Sequence, residues 1–260
     1  MKYGIPSLIE FSDVKSHAAF CAEHGFRFVE LNMTYPWFQS DTMDAPALRA
    51  ARETYGVELT LHLHDQVNPF EFSTEMRIAS IRNILWAVEL AGELHIERIT
   101  MHLLPGMYSA VNGIKVYLNE HCLDRYLKLV KDFRDAVTSR AAGGTVLCIE
   151  NTSGYQSYHK KAVELLLESP AFGLTYDIGH DAKIGNMDEG FIMSHADRIR
   201  HFHIHDRDGK ANHLAFGDGV LDIPRYVKLA ESLGSTVLCE VKESGAIVKS
   251  KAYLEDAGLW

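Results

Sequence analysis

The sequence has little cysteine, and what it has is not paired. Cys21, Cys122, Cys148 and Cys239 are scattered with no CxxC among them, which indicates neither a zinc knuckle nor a disulfide framework. No stretch approaches the roughly 20 apolar residues that span a bilayer, so no membrane span is expected. The opening MKYGIPSLIEF lacks the basic segment and long apolar run of a secretory signal, and a cytoplasmic chain is expected. Positive charge is also short: 26 Lys and Arg against 35 Asp and Glu leave a net charge of −9. A protein that grips phosphate backbones usually presents a basic face, so nucleic acid is a disfavoured partner. No GxGxxG follows the first strand candidate, which lowers a dinucleotide-binding reading.

What the sequence does have is histidine, 14 of them in 260 residues, set in a repeating frame. Short β-rich runs begin at Lys2, Phe26, Val57, Arg98, Thr145, Phe172, Ile199 and Thr236. Helical stripes lie between them. Val14, Ala18 and Cys21 follow Ser12-Asp13 and precede Gly25; Ile78, Ile81, Leu85 and Val88 recur at three- and four-residue steps with Gly92 beyond. Leu123, Leu127, Val130 and Phe133 form a third stripe, and Val227, Ala230 and Leu233 run between Pro224 and Gly234. Strands alternating with helices imply parallel pairing through right-handed crossovers. A count of eight at this length implies one (β/α)8 TIM barrel over residues 1–260, since such barrels run to about 250 residues as one unit. No linker or low-complexity tract breaks it. Two longer insertions, about Asp65–Thr74 and Leu103–Asn119, follow the third and fourth strands, on the side where barrel active sites are built.

The strand ends are rich in metal-ligand side chains. The second ends with Glu30, the third with His62 and His64, the fourth with His102 and the fifth with Glu150. The sixth ends with Asp177 and is followed by His180; the seventh carries His201, His203, His205 and Asp206; the eighth ends with Glu240. Taken singly, His62, His102 or His201 reads as a hydrogen-bonded core or rim residue, and a terminal carboxylate as a helix cap. Taken together, Glu150, Asp177 and Glu240 in one barrel mouth would repel and raise one another's pKa unless a cation sat between them. Nitrogen and carboxylate donors suit Zn²⁺ or Mn²⁺, with one to three ions expected.

These residues resemble the xylose isomerase-like barrel superfamily, in the branch that holds endonuclease IV-type apurinic endonucleases and small sugar isomerases and epimerases. The run from Gly25 to Leu31 is similar to a GYDGVEL second strand, and His64-Asp65 before Asn68-Pro69 to the first metal histidine and its loop. His102 near Pro105-Gly106 resembles the second metal histidine, and Glu150-Asn151-Thr152-Ser153-Gly154 an ENTxG element. Asp177 to His180 resembles DxxH, His203 to Asp206 HxxD, His213 with Gly217-Asp218-Gly219 an H…GEG segment, and Glu240 the terminal carboxylate.

For a sugar isomerase or epimerase the resemblance implies Glu150, Asp177, His203 and Glu240 around one divalent ion. Glu150 and Glu240 would then move a proton through an enediolate. His180 would hold a substrate oxygen. Arg207, Lys183 or Lys242 would contact a distal hydroxyl or phosphate, against the ordinary reading of loop charges as solvated. A dehydratase would use the same machinery. For an apurinic endonuclease it implies His64 and His102 on one metal with Glu150 bridging, Asp177, His203 and Glu240 on the next, and His180 and His213 on a third. Three departures weigh against the nuclease: Ala211 stands where the third site has Asp, His205, Arg207 and Asp208 fill the variable strand-seven places, and Val241-Lys242 replace Thr-Pro. Tyr35-Pro36-Trp37-Phe38 reads equally as a nucleic-acid wedge or an aromatic lid over a sugar. A non-catalytic barrel that carries or senses a sugar acid is a third reading, disfavoured by the paired glutamates. The expected partner is a small carbohydrate; homo-oligomerisation is left open.

Overall fold

A computed structural model describes residues 1–141 and 144–260. Eight parallel strands close a barrel: β1 (Tyr3–Pro6), β2 (Phe28–Asn32), β3 (Glu58–His62), β4 (Arg98–His102), β5 (Val146–Glu150), β6 (Phe172–Asp177), β7 (Ile199–Ile204) and β8 (Thr236–Cys239). Each pairs with the next in sequence, and Tyr3 opposite Val237 closes the ring between β1 and β8. All eight expected strands are present, at slightly narrower bounds.

Alternation along the strands decides what enters the barrel. In β3, Leu59, Leu61 and then Leu63 are buried in the outer apolar layer, while the intervening Thr60 and His62 take the other face. Thr60, Thr100, Thr175 and His201 are buried without belonging to the apolar core, so the barrel interior is polar. At its lower end Phe28 lies against Gly4, where a Cβ would meet the ring at 2.1 Å. The helices seal the outer layer with one stripe each. In Leu123–Thr138 the buried side chains are Tyr126, Val130, Phe133 and Val137, and burying each large apolar group contributes about 1.5–3 kcal/mol.

The N-terminal cap of helix Val14–Glu23 is Asp13, which accepts from the Ser16 N–H at 2.8 Å. The third helix differs from expectation. It runs Thr74–Leu94, through Gly92, and stops at His95, whose φ of 53° takes the left-handed cap. Packing of Leu90, Ala91 and Leu94 against the core carries the helix past the glycine. The insertion after β4 holds a hairpin, Tyr108–Val111 against Ile114–Tyr117, with Asn112 and Gly113 both at positive φ in its two-residue turn.

Candidate metal centre

The upper rim is assembled by register. His102 lies opposite Glu150 across β4 and β5, and Asp177 opposite His203 across β6 and β7. The Glu240 N–H extends the β8 ladder onto the Ile204 carbonyl at 2.8 Å, which places its side chain beside His203. Glu150, Asp177, His203 and Glu240 thus meet in one buried cluster, with His203 Nδ1 3.3 Å from Glu150 Oε1 and 3.6 Å from Glu240 Oε2.

Five overlapping sets of side chains each place their ligand atoms within 4.8 Å of one another, among the described residues. Glu150, Asp177 and His203 form one, and Asp177, His205 and Glu240 another. His62, Asp65 and His102 stand on the β3–β4 side, Glu30, His62 and His203 lie inward, and His180, His205 and His213 stand on the β6–β7 side. His205 stands with His180 and His213 in the last of these sets, and its buried ring rests on Gly179 with no room for a Cβ.

The electrostatics of these sets fit a divalent ion. Asp177 Oδ2, Glu240 Oε2, His203 Nδ1 and His205 Nε2 are buried with no aligned hydrogen-bond partner among the described residues, a costly state for polar atoms that face one another. Three further imidazoles are fixed through Nδ1. Nδ1 of His62 faces the Leu63 carbonyl at 2.8 Å, Nδ1 of His180 the Asn151 carbonyl at 3.2 Å, and Nδ1 of His213 the Glu240 carbonyl at 3.0 Å. A carbonyl only accepts, so each Nδ1 carries a proton and, in the neutral ring, Nε2 is left with the lone pair, the usual arrangement of metal-ligating histidine.

Burial alone would raise Glu150 and Glu240. The facing His203 and His102 overcome it at Glu150, and Lys242, His213 and His203 at Glu240, so both carboxyls sit well below the ordinary range. Burial opposes protonation of His62 and His203 too, yet Glu150 lifts His62 to about 9 and carries His203 well above the usual histidine value. Burial pushes His213 down to about 4.

Other sequence-predicted residues lie elsewhere. His64 falls beyond the end of β3 and accepts the Gln66 N–H on Nδ1 at 3.0 Å; it is His62 that joins the ligand sets. Lys183 is exposed at the end of helix Ile178–Lys183. Arg207 donates from Nε to Asn212 Oδ1 at 3.0 Å. Lys242, the third of the basic candidates, does reach the rim, with Nζ 2.7 Å from Glu240 Oε1. Asp206 belongs to the scaffold: its carboxylate accepts the backbone N–H groups of Arg207, Leu221, Gly217 and Gly219 at 2.8–3.0 Å. Glu30 and His201 sit inward of the rim. Sequence reasoning passed over Asp65 as a part of the centre, and counted Glu30 and His205 among the strand-end donors without giving them a place in a ligand set; the small Gly179 one residue before His180 was the signal that a ring needed room there.

Beside His213 and Lys242 opens a cleft of about 500 Å³, also lined by Asn212, Asp218, Ala246 and Lys249. No helix among the described residues is long and apolar enough to cross a membrane.

Comparison with known proteins agrees with this architecture. The chain is 26% identical over 271 residues to the uncharacterized protein MJ1311 of Methanocaldococcus jannaschii, covering 98% of this chain and 89% of that one. A D-tagatose 3-epimerase-like protein superposes with a TM-score of 0.79 at 23% identity, over 98% of this chain and 96% of its own. The 3-keto-D-glucoside 4-epimerase YcjR from E. coli gives 0.77 at 18% identity, over 98% and 99%. The family described as xylose isomerase-like TIM barrel matches residues 18–258, and the chain belongs to it.

Proposed function

We propose that the protein is a divalent-metal-dependent isomerase or epimerase of small sugars or sugar phosphates. The observation that carries this reading is the convergence of Glu150, Asp177, His203 and Glu240, with buried, unpartnered oxygen and nitrogen atoms facing one another. The sugar epimerases among the structural neighbours support it. A divalent ion held by those four residues supplies Lewis-acid polarisation of a substrate carbonyl and so acidifies the adjacent C–H.

The chain's own residues do the rest. Glu150 ends β5 and Glu240 follows β8, so the two carboxylates approach a bound sugar from different sides of the mouth. Both are held ionised, the state a general base needs. One takes the proton from the carbon beside the carbonyl, leaving an enediolate; the other returns a proton to the opposite face. Lys242 Nζ, 2.7 Å from Glu240 Oε1, holds that carboxylate in place. His180 offers its Nε2 to a substrate oxygen, and the cleft beside His213 and Lys242 takes the distal end of the sugar.

The test is exchange of substrate carbon-bound hydrogen with D2O, measured on a panel of ketoses and ketose phosphates with Mn²⁺- or Zn²⁺-loaded protein. Exchange that disappears in both Glu150→Gln and Glu240→Gln supports the mechanism. Turnover retained by either variant removes it, and no exchange on any member of the panel removes the substrate class.

A second reading is favoured by the ligand sets beyond the first, which exceed what one ion needs. With His62 and His102 on one ion and Glu150 bridging, the centre would suit phosphodiester hydrolysis at two metals. Nicking of an abasic duplex by zinc-loaded protein distinguishes it. The net charge of −9 weighs against a nucleic-acid substrate.

A further inference from the structure

Glu30 is 2% exposed in the barrel interior, in the innermost of the ligand sets. Its Oε1 lies 3.1 Å from His203 Nε2, within ion-pair reach but not aligned as a hydrogen bond in the metal-free chain. Its Oε2 accepts from the Thr60 hydroxyl at 3.3 Å and the Thr100 hydroxyl at 3.5 Å, and lies 3.3 Å from His201 Nε2. His201 is anchored in turn by Nδ1 against Thr236 Oγ1 at 2.7 Å. The other side of His203 faces the metal centre, with Nδ1 3.3 Å from Glu150 Oε1 and 3.6 Å from Glu240 Oε2. The imidazole therefore stands between the inward carboxylate of Glu30 and a cluster that needs a lone pair.

We infer that Glu30 is a positioning residue: it holds the His203 proton on Nε2 and turns the ring so that Nδ1 is presented to Glu150, Asp177 and Glu240. The inference rests on the metal reading above. A neutral imidazole can donate through only one nitrogen, and the proton's place decides which nitrogen can ligate. An ionised carboxyl can only accept, so Glu30 favours Nε2–H. Moving the proton to Nδ1 would set the Nε2 lone pair against a carboxylate at 3.1 Å and aim an N–H into the ligand cluster. Thr60 and Thr100 hold Oε2, which leaves Oε1 for the ring. A buried carboxylate is expensive to keep, and here it faces a histidine that also belongs to the set with Glu150 and Asp177.

The experiment compares the full-length wild type with Glu30→Gln. Zinc affinity is measured by chelator competition, and 15N-histidine spectra are recorded on the zinc-loaded protein. The wild type is expected to show His203 protonated on Nε2 and zinc-shifted on Nδ1. The carboxamide keeps the shape but can turn either its oxygen or its NH2 to the ring, so the tautomer is no longer specified. Zinc affinity should fall about 10- to 100-fold and the Nε2–H signal should move or vanish. A lower melting temperature with zinc affinity and spectrum unchanged would mean a structural role only, and overturns the inference. Zinc on Nε2 in the wild type overturns it too.

If Glu30→Gln does not fold, Thr60→Val with Thr100→Val keeps Glu30 and frees its Oε2. A several-fold loss of zinc affinity there supports the inference, and wild-type affinity overturns it. A wild type that binds no divalent ion removes the metal reading and this one with it, whereas wild-type binding that Glu30→Gln leaves intact removes the role of Glu30 alone.

Discussion

His62 turns its Nε2 onto Glu150 Oε2 at 3.2 Å while its Nδ1 proton is committed to the Leu63 carbonyl at 2.8 Å. In the neutral ring two lone pairs would therefore face each other in a buried site. A proton relieves the clash in the metal-free chain, which is why Glu150 lifts His62 to about 9 against the opposing effect of burial. A divalent ion relieves it in the loaded chain. His62→Asn should accordingly lower zinc bound per chain, or weaken its binding about 10-fold or more. His64→Asn should leave both unchanged, because His64 sits outside the ligand sets. Elemental analysis after dialysis against a weak chelator reads the difference. The reverse pattern would restore His64 as the ligand.

Gly179 carries a prediction about space. A Cβ there would lie 1.9 Å from the His205 ring, and the ring is buried with no open side to move toward. Gly179→Ala should displace His205 from Asp177 and Glu240 and cost about 1–3 kcal/mol through overpacking. Zinc uptake should fall along with the melting temperature. Gly190 offers the matched control, since nothing lies within 4 Å of a Cβ placed there. Equal behaviour of the two alanine variants would show that His205 is free to leave.

The fold was legible because its signals are local and repeated. Val14, Ala18 and Cys21 state the buried face of a helix in sequence spacing alone; of the stripe Leu123, Leu127, Val130 and Phe133, the last two are buried, and Tyr126 and Val137 complete the face. The rim was legible as a set of donors at strand ends, without the depth of each donor. Whether His62 or His64 turns inward depends on where β3 stops, and ladder hydrogen bonds to β4 decide that. Glu30 looked like a rim carboxylate, but the register of β2 against β3 sets it opposite Thr60, inward of His62. Asp206 resembled a ligand by motif; its four backbone partners come from a loop whose path no spacing rule describes. The Asn112-Gly113 turn was a signal present in the sequence, hidden inside a stretch taken for a plain loop.

Asp206 leads to a third prediction. One carboxylate closes the segment from Arg207 to Leu221 by accepting four backbone N–H groups, and His213 rides on that segment. Asp206→Ala would leave several donors without a partner at about 1–3 kcal/mol each if they stay buried. The segment is expected to open locally instead. Limited proteolysis should cut between Arg207 and Leu221 in the variant and not in the wild type, with zinc binding reduced through loss of His213. Resistance equal to the wild type would show that the loop holds itself.

His159 yields a prediction in pH. Its ring is 1% exposed, Nδ1 accepts the Gln156 N–H at 3.1 Å, and Nε2 donates to the Leu104 carbonyl at 3.3 Å. Burial pushes its pKa down to about 4, only partly offset by the Leu104 and Gly154 carbonyls. The folded chain thus binds this proton more weakly than the unfolded chain does, whose histidine titrates near 6.5. The sign follows from linkage: the neutral ring's contribution is complete above pH 6.5 and is lost progressively as pH falls toward 4. The full span amounts to at most about 3 kcal/mol at 1.36 kcal/mol per pH unit. His159→Gln keeps an acceptor for the Gln156 N–H but does not titrate, so its stability should fall less between pH 6.5 and 4.5 than that of the wild type. Urea unfolding at pH 7, 5.5 and 4.5 reads this directly, and the two proteins' other histidines cancel in the comparison. Parallel loss in both proteins would place the His159 ring in solvent, contrary to its burial against Gln156 and Leu104.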